Sequence, residues 1–468
     1  MKTYIKETLN QVGQAVELKG WVHVKRDMGK ISFIDLRDST GLIQVVLLPK
    51  ELKVGAEQIK ELRPEFVIGI KGLIQKRDAK QINKDLATGE IEVLAHELEI
   101  INQAEMPPFE IDNENLQANE ELRLKYRYLD LRHLRLAKNI TLRHEIIRFM
   151  REYLYNQGFR EVETPYLTKS TPEGARDFVV PSRNYPGNFY ALPQSPQQYK
   201  QMLMVAGIER YFQIPRCFRD EDQRGDRQAE FTQLDIEMSF VEEEEILALN
   251  EKLAIELIKK IAPEKKIAQV PFPRITYAEA IKKYGNDRPD LRTNKDDPNE
   301  LAFCWVIDFP MFEYKEGYKR WGAAHHPFTA IKDDHLESLG QTDKMGEILA
   351  KQYDLVLNGN EIGGGSIRTH DPKILAKVFA VLGHSQEDIQ KKFGHLLEAF
   401  KYGVPPHGGV AWGLDRFVMI MAGEQSIREV MAFPKTADNR DPLMDSPSQI
   451  DKEQLAELGL DIKKKIKK

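Results

Sequence analysis

Cysteine is nearly absent: the 468-residue chain holds two, Cys217 and Cys304. That excludes a disulfide-stapled scaffold and a thiolate zinc site, and it suits a reducing compartment, so the cytoplasm is the expected location. No stretch of 18 apolar residues occurs, and the start MKTYIKETLNQVGQ lacks the apolar core of a secretory signal; neither a membrane span nor export is expected. A surplus of one charge sign is missing as well, since 68 Lys and Arg stand against 73 Asp and Glu for a net of -5. Nucleic-acid binding through bulk positive charge is thereby excluded, although a local basic surface is not. Two familiar phosphate cradles are also missing, GxxxxGK[ST] and a GxGxxG between strand and helix, so any use of ATP requires a different one.

What is present is apolar material, 41% of residues, sufficient for cores in two or three domains. From Ala15 to Ile101 the chain reads as short β-rich runs broken by Gly and charged turns: VELKGWVHVKR, KISFIDLRD, GLIQVVLL, EFVIGIKGLIQKR. Five such strands with a helical patch near Val54 to Leu62 predict a small closed barrel of the OB type, whose open face commonly takes single-stranded nucleic acid. Residues 104–130 are polar with a Pro pair and read as a hinge. In NITLRHEIIRFMREYLYNQG, Leu142, Ile146, Phe149, Met150 and Tyr153 share one face of a helix that Gly158 ends. Beyond it, strand-like and helical stretches mix without βαβα order. This favours an α+β class with an antiparallel sheet flanked by helices.

Local signals sharpen three places. ALPQSPQQYKQMLMVAGIERY predicts a helix capped by Ser195, with Pro196 first, Gln198 closing a capping box and Gly207 past the end, which places Lys200 in its first turns. Glu242 to Glu245 reads as a solvated helix start favoured by the macrodipole, and Lys463 to Lys468 as a solvated tail. His325 and His326 are adjacent, so on a strand they would point oppositely, and no third partner has metal spacing; zinc is disfavoured.

Three ordered strings carry a family resemblance. FRDE (Phe218 to Glu221) resembles motif 2 of the class II aminoacyl-tRNA synthetases, GLDR (Gly413 to Arg416) resembles motif 3, and FREVETPYL around Pro165 resembles motif 1. The flanking text STPEGARDF, ALPQSPQQYKQ, DRQAEFTQLDIEMSF, AAHHPFT, GGGSIRTHD and SIREVMAFPKT is similar to bacterial-type aspartyl enzymes of that class. The implied organisation is an OB-fold anticodon-binding domain (1–103), the hinge (104–130), a class II catalytic domain (131–436) and a C-terminal extension (437–468). Such relatives usually carry an insertion of roughly a hundred residues between motifs 2 and 3, a scale that would itself suffice for a domain. Here a short polar join, Thr293 to Glu300, stands in its place.

The resemblance implies ligation of L-aspartate to tRNA(Asp) at the expense of ATP, with Mg²⁺, in a cytoplasmic homodimer. Two alternatives stay open: a version that also charges tRNA(Asn), with Met28 and Gln81 in the text concerned, and a non-catalytic tRNA-binding paralogue. By resemblance Arg219, Arg416 and Glu361 are the catalytic residues, Arg219 bridging the α-phosphate and the substrate carboxylate and Arg416 holding the γ-phosphate. Phe231 would stack on adenine, with Asp220, Glu221, Gln228, Gly413, Leu414 and Asp415 also at the nucleotide. Lys200, Arg368 and His325 would hold the side-chain carboxylate of aspartate, while Glu173, Ser195, Gln197 and Asp235 surround its ammonium group. Asp354 and Glu361 would hold Mg²⁺, the rival reading being a loop carboxylate and a buried ion pair. In the barrel, Arg26, Phe33, Gln44 and Asn83 would read the anticodon, the rival role for Phe33 being core packing. The physics agrees: charge builds on phosphate oxygens during activation, so arginine forks and a hard cation suffice.

Overall fold

The computed structural model describes residues 2–111, 118–170 and 174–463, and the chain folds as two compact units, Met1–Lys138 and Asn139–Lys468. In the first, β1 (Ala15–Met28), β2 (Ile31–Asp38), β3 (Gly41–Leu47), β4 (Val67–Lys76) and β5 (Ile91–Asn102) close a barrel in the order β1-β2-β3-β5-β4. Closure is possible because β1 is long enough to pair twice, with β4 over Ala15 to Trp21 and with β2 from Trp21 onward. Where it passes from one partner to the other sits Gly20; a Cβ there would lie 2.2 Å from the Arg37 carbonyl oxygen, so only glycine fits. Ile34 and Leu36 point into the barrel and are fully buried, whereas Phe33 and Asp35 alternate onto the outside. The expected helical patch is a 3-10 turn, Ala56–Lys60.

The second unit is built on a nine-stranded sheet. Its elements in chain order are α1 (Leu134–Asn156), β6 (Arg160–Glu161), α2 (Gln197–Val205), β7 (Arg210–Gln213), β8 (Arg216–Phe218), β9 (Glu230–Ser239) and α3 (Glu243–Ile261). There follow β10 (Arg274–Thr276), β11 (Phe303–Ile307), β12 (Gln352–Leu357), β13 (Asn360–Ile367), α4 (Pro372–Val381), α5 (Gln386–Phe400), β14 (His407–Gly413) and α6 (Leu414–Ala422). The order across the sheet is β10-β11-β12-β13-β14-β9-β7-β6, with β8 paired to β9. The six central strands are antiparallel as expected, but β10 and β6 join the edges in parallel, a detail the strand runs did not reveal.

One face of this sheet is apolar. Leu234 and Ile236 of β9, Tyr353 and Leu355 of β12 and Trp412 of β14 pack with Ile146 and Met150 of α1, Leu253 and Leu257 of α3 and Phe417 of α6. Trp412 Nε1 donates to Asn250 Oδ1 at 2.8 Å, which satisfies the one polar atom its ring brings into the core. Gly158 follows α1 at φ +80°, the left-handed conformation that stops the helix.

Two local expectations are corrected. Helix α2 begins one residue later than its signals suggested: Pro196 is the N-cap, and the cap carries no side-chain hydrogen bond. Gln198 does not close a capping box; its Oε1 faces His395 Nε2 at 2.6 Å. His325 and His326 do not alternate on a strand, because the chain leaves its strand at Ala323 and turns. The join expected between motifs 2 and 3 is compact: Glu300 accepts Thr293 N at 2.7 Å and Asn294 N at 2.8 Å through its two oxygens.

Candidate active site

The second face of the sheet forms the site, and strand period accounts for it. Along β9, Gln233, Asp235 and Glu237 alternate with Leu234, Ile236 and Met238, which sends the three polar side chains away from the core. The register then lines up two rungs. Asp235 pairs with Ala411, Ala411 with Gly364 and Gly364 with Asp354; one step along, Glu237 pairs with Gly409, Gly409 with Ser366 and Ser366 with Gln352. The two central strands thus offer only small residues, so carboxylates from both flanks overlook one hollow. A Cβ on Gly364 would sit 2.8 Å from Asp354 Oδ1 and 3.8 Å from Glu361 Oε1, and would fill it.

Two polar cavities occupy this face and share Arg219, Gln233, Glu361 and Ala411 in their walls. The first is walled by Lys200, Arg368, Asp235, His325, His326, Ser195, Gln197 and Asp354. Lys200 Nζ lies 2.6 Å from Asp235 Oδ1 and 3.1 Å from Glu237 Oε2, and Arg368 meets Glu237 at two points, 2.9 and 3.1 Å. All four charged groups are buried. Isolated charges could not stay there; paired and hydrogen-bonded ones can. Burial works against ionisation of Glu237, yet Arg368 and Lys200 overcome it and hold the carboxyl at about 2. Asp235 goes the other way: burial raises it against the pull of Lys200.

Donor arithmetic points into the cavity. An ammonium has three hydrogens and a guanidinium five. Lys200 spends two on Asp235 and Glu237, and Arg368 spends four on Glu237, Ser366 Oγ (2.6 Å) and His326 Nε2 (3.0 Å), leaving each, among the described residues, a hydrogen to offer. On the acceptor side Asp235 Oδ2 and, on the donor side, Gln197 Nε2 are buried with no hydrogen-bond partner among the described residues. The cavity therefore presents two cationic donors close together and an unmatched carboxylate oxygen, a pattern complementary to a small molecule with a carboxylate and an ammonium group. His326 receives the guanidinium on Nε2, so its proton resides on Nδ1, facing Thr329 Oγ1 at 3.4 Å. Burial, and then Arg368, push it well below the usual histidine range. His325 is also pushed down by burial and packs edge-on against the Phe309 ring.

The second cavity is walled by Arg219, Glu221, Gln228, Phe231, Glu361, Gly413, Asp415 and Arg416. The Arg219 guanidinium lies over the Phe231 ring at 5.1 Å, and Arg416 donates to the Glu361 carbonyl and to Asp226 Oδ2 at 3.1 Å. Asp415 is a local organiser, accepting Thr232 N at 2.7 Å and Arg143 Nη1 at 2.6 Å. Gln228 is held at both ends of its amide by the backbone of Lys435. Asp354 is pushed well up by burial and by the charge of Glu361 across the same hollow.

Of the expected site residues, two lie elsewhere: Leu414 is in the core, and Asp220 faces Arg176 at 3.5 Å on the surface. Glu173 lies outside the described residues, as do Lys464 to Lys468 of the tail. Sequence reasoning missed Glu237, His326, Ser366 and Asp226. The period-2 run QLDIE carried the signal for Glu237; the others required the fold.

On the barrel, Phe33 is half-buried outside the core, with Arg26 as its cross-strand neighbour. Arg26 forms a two-point pair with Asp35 (2.9 and 3.0 Å) and reaches Gln44 Oε1 at 3.4 Å, so three of the four expected residues share one patch. Asn83 is on the 77–90 loop, its Oδ1 accepting Asp85 N at 3.0 Å.

Comparison with known proteins meets this geometry. Residues 119–437 match the model of tRNA synthetases class II (D, K and N), and residues 16–101 match the OB-fold nucleic acid binding domain. The aspartate-tRNA ligase of Staphylococcus carnosus is 41% identical over 580 residues, covering 97% of this chain and 98% of the relative. The chain belongs to the class II aspartate-tRNA ligases. An aspartate-tRNA(Asp/Asn) ligase of Dehalococcoides mccartyi is 40% identical over 588 residues, covering 97% of this ligase and 98% of the relative. Both alignments run more than a hundred positions beyond the 468 residues of this ligase, so its relatives are longer. The solved Entamoeba histolytica asparaginyl-tRNA synthetase in complex with asparaginyl-adenylate shares the fold at a TM-score of 0.76 and 24% identity, covering 94% of this ligase and 100% of that chain. Among the described residues no helix is long and apolar enough to cross a membrane.

Proposed function

We propose that the ligase joins L-aspartate and ATP in the two adjoining cavities, with aspartate at Lys200 and Arg368 and the nucleotide between Phe231, Arg219 and Arg416. The observation that carries this reading is the buried quartet of Lys200, Arg368, Asp235 and Glu237, which fixes two cations in place while leaving each a hydrogen to offer. An aspartate carboxylate accepts both; an asparagine amide would turn hydrogens toward cations and leave them unmatched. The ammonium group suits Asp235 Oδ2, and Ser195 and Gln197 line the same wall.

In activation the α-carboxylate oxygen bonds to the α-phosphorus of ATP as the bond to pyrophosphate breaks. Arg219, common to both cavities, is the residue positioned to serve carboxylate and phosphate together. Asp354 and Glu361 fit a divalent cation: they oppose each other over a hollow kept open by Gly364, and Asp354 is pushed up by burial and then by the charge of Glu361. Such an ion would add positive charge beside the phosphate oxygens and keep waters and phosphate as its other ligands. Transfer then joins the aspartyl carbonyl to the terminal ribose hydroxyl oxygen of tRNA(Asp) as the bond to the adenylate phosphate breaks, AMP leaving and the hydroxyl giving up its proton; the Arg26, Phe33 and Gln44 patch would read the anticodon of that tRNA.

A homodimer is part of the proposal. Tyr166 and Leu167, beside Pro165, and Val179, Tyr185 and Phe189 of the adjoining hairpin are exposed apolar side chains on neighbouring segments, linked by the Thr168 to Ala191 bridge. The reading is tested by ATP-pyrophosphate exchange with aspartate, asparagine and lysine in parallel, where aspartate alone should support exchange. Charging of purified tRNA(Asp) and tRNA(Asn) then assigns the ligase to one of the two kinds of relative, which stand at equal identity.

A further inference from the structure

The nucleotide cavity holds three guanidinium groups, Arg219, Arg227 and Arg416, and each already has an internal partner: the Phe231 ring, Glu221 at 3.2 Å and Asp226 at 3.1 Å. The Asp226 contact is, like that of Glu221, a carboxylate on a guanidinium, but it falls on a different proposed role. Arg416 is the proposed γ-phosphate ligand, and a carboxylate oxygen sits on its Nη2. Arg416 Nε is buried with no hydrogen-bond partner among the described residues, so the guanidinium is only partly satisfied. Nη1 donates to the Glu361 carbonyl, which fixes the plane of the guanidinium against β13.

Asp226 is not held there by chance of rotamer alone. It follows Gly225 on the 219–229 loop between β8 and β9, and the Gly225 carbonyl accepts both Ile427 N at 2.9 Å and Ser426 Oγ at 3.1 Å. The base of the loop is tied by Arg219 N to Ala229 O at 2.8 Å and its middle by the Arg224 and Arg227 bridge. The loop is thus pinned on both sides of Asp226, and its carboxylate is delivered over the cavity wall. Its side chain remains 32% exposed and that of Arg416 21%, so the pair is reachable by water and by a competing anion.

We propose that Asp226 is a built-in stand-in for phosphate: it occupies Arg416 while the cavity is empty and must be displaced when the triphosphate of ATP arrives. Two consequences follow from charge alone. The internal carboxylate keeps Arg416 aimed into the cavity in the absence of ligand, and it competes with ATP both by holding the guanidinium and by repelling the incoming polyanion. Asp226 is a positioning residue and a determinant of nucleotide affinity. The inference rests on the reading that Arg416 binds the γ-phosphate.

The test is the ATP dependence of exchange in the full-length enzyme with aspartate saturating. Asp226→Asn should lower the KM for ATP by about 2- to 5-fold, the range for loss of one partly exposed ion pair, with the larger shift at low ionic strength. Asp226→Glu, which keeps the carboxylate, should return the KM toward that of the parent. The KM for aspartate reports on the neighbouring cavity and should not follow. A KM for ATP that rises or stays fixed in Asp226→Asn, with normal melting, overturns the proposal and makes Asp226 a scaffold residue only. Arg416→Ala separates the two readings. If it leaves the KM for ATP unchanged, the phosphate assignment fails. If it raises that KM while Asp226→Asn has no effect, only the stand-in fails. In the Asp226→Asn, Arg416→Ala double variant the gain from the first substitution should shrink, because its partner is gone.

Discussion

Arg368 and Glu237 face one another as a two-point pair, Nε to Oε1 at 2.9 Å and Nη2 to Oε2 at 3.1 Å, with both side chains almost wholly out of water. Because the pair is buried, removing the cation strands Glu237, a cost of about 3–5 kcal/mol that would mix unfolding with loss of function. Arg368→Lys retains the charge but not the fork. It should reduce aspartate-dependent exchange by about 10²-fold or more, the scale of one lost electrostatic contact, while the melting temperature falls only modestly. Exchange at the parental rate would remove Arg368 from the aspartate site.

Asp354→Asn keeps the hydrogen bond from Gln352 Nε2 (3.0 Å) and removes a buried carboxyl that burial and Glu361 disfavour in its charged form. The empty protein should be stabilised, by about 1 kcal/mol, the lower range for relieving an unfavourable buried polar group. Exchange should become weak and require far more Mg²⁺. A stabilised variant with unaltered Mg²⁺ titration would show that Asp354 is not a ligand.

Phe33 is outside the barrel core, so Phe33→Ala should fold. Loss of its π-face should weaken binding and charging of tRNA by about 1–3 kcal/mol and spare pyrophosphate exchange. Equal losses in both assays would assign Phe33 a structural role.

Acid should destabilise the fold through its buried imidazoles. His407 donates from Nδ1 to the Pro405 carbonyl at 2.8 Å and faces Gln201 on Nε2 at 3.2 Å; burial pushes it down to about 4. The unfolded chain takes up this proton near pH 6.5, the native one only near 4, so stability is full above about 6.5 and is lost as the pH falls through that window. For His407 alone the loss is on the order of 3 kcal/mol, and His326 and His325 act in the same direction. Asp235 and Asp354, raised by burial, oppose it. A difference measurement isolates the imidazole: melting temperature against pH should be flatter in His407→Gln than in the parent.

The strand runs of the barrel, the α1 stripe and the α+β class were legible because hydrophobic period survives without tertiary information. Lys200, Asp235 and Arg368 were proposed for the site only through resemblance; that Lys200 and Arg368 share a buried carboxylate, Glu237, depends on the register of β9, β14 and β13, which no local pattern encodes. The histidine pair was misread for a related reason. Alternation holds only within a strand, and the chain turns two residues before His326. Likewise Ser195 satisfies every composition rule for a cap, yet Pro196, at φ -78° and ψ 20°, takes the boundary position.

The Thr293 to Glu300 join carries an architectural consequence. One carboxylate clips both of its arms, so the two ends of the join lie side by side at the periphery, beside the short parallel pairing of Lys266–Ile267 with Glu300–Leu301. With its ends already closed by one side chain, a longer loop at this place would cost little more than its own closure entropy. The rim of the enzyme at this clip is held by its own backbone amides, apart from the strands that carry the cavities.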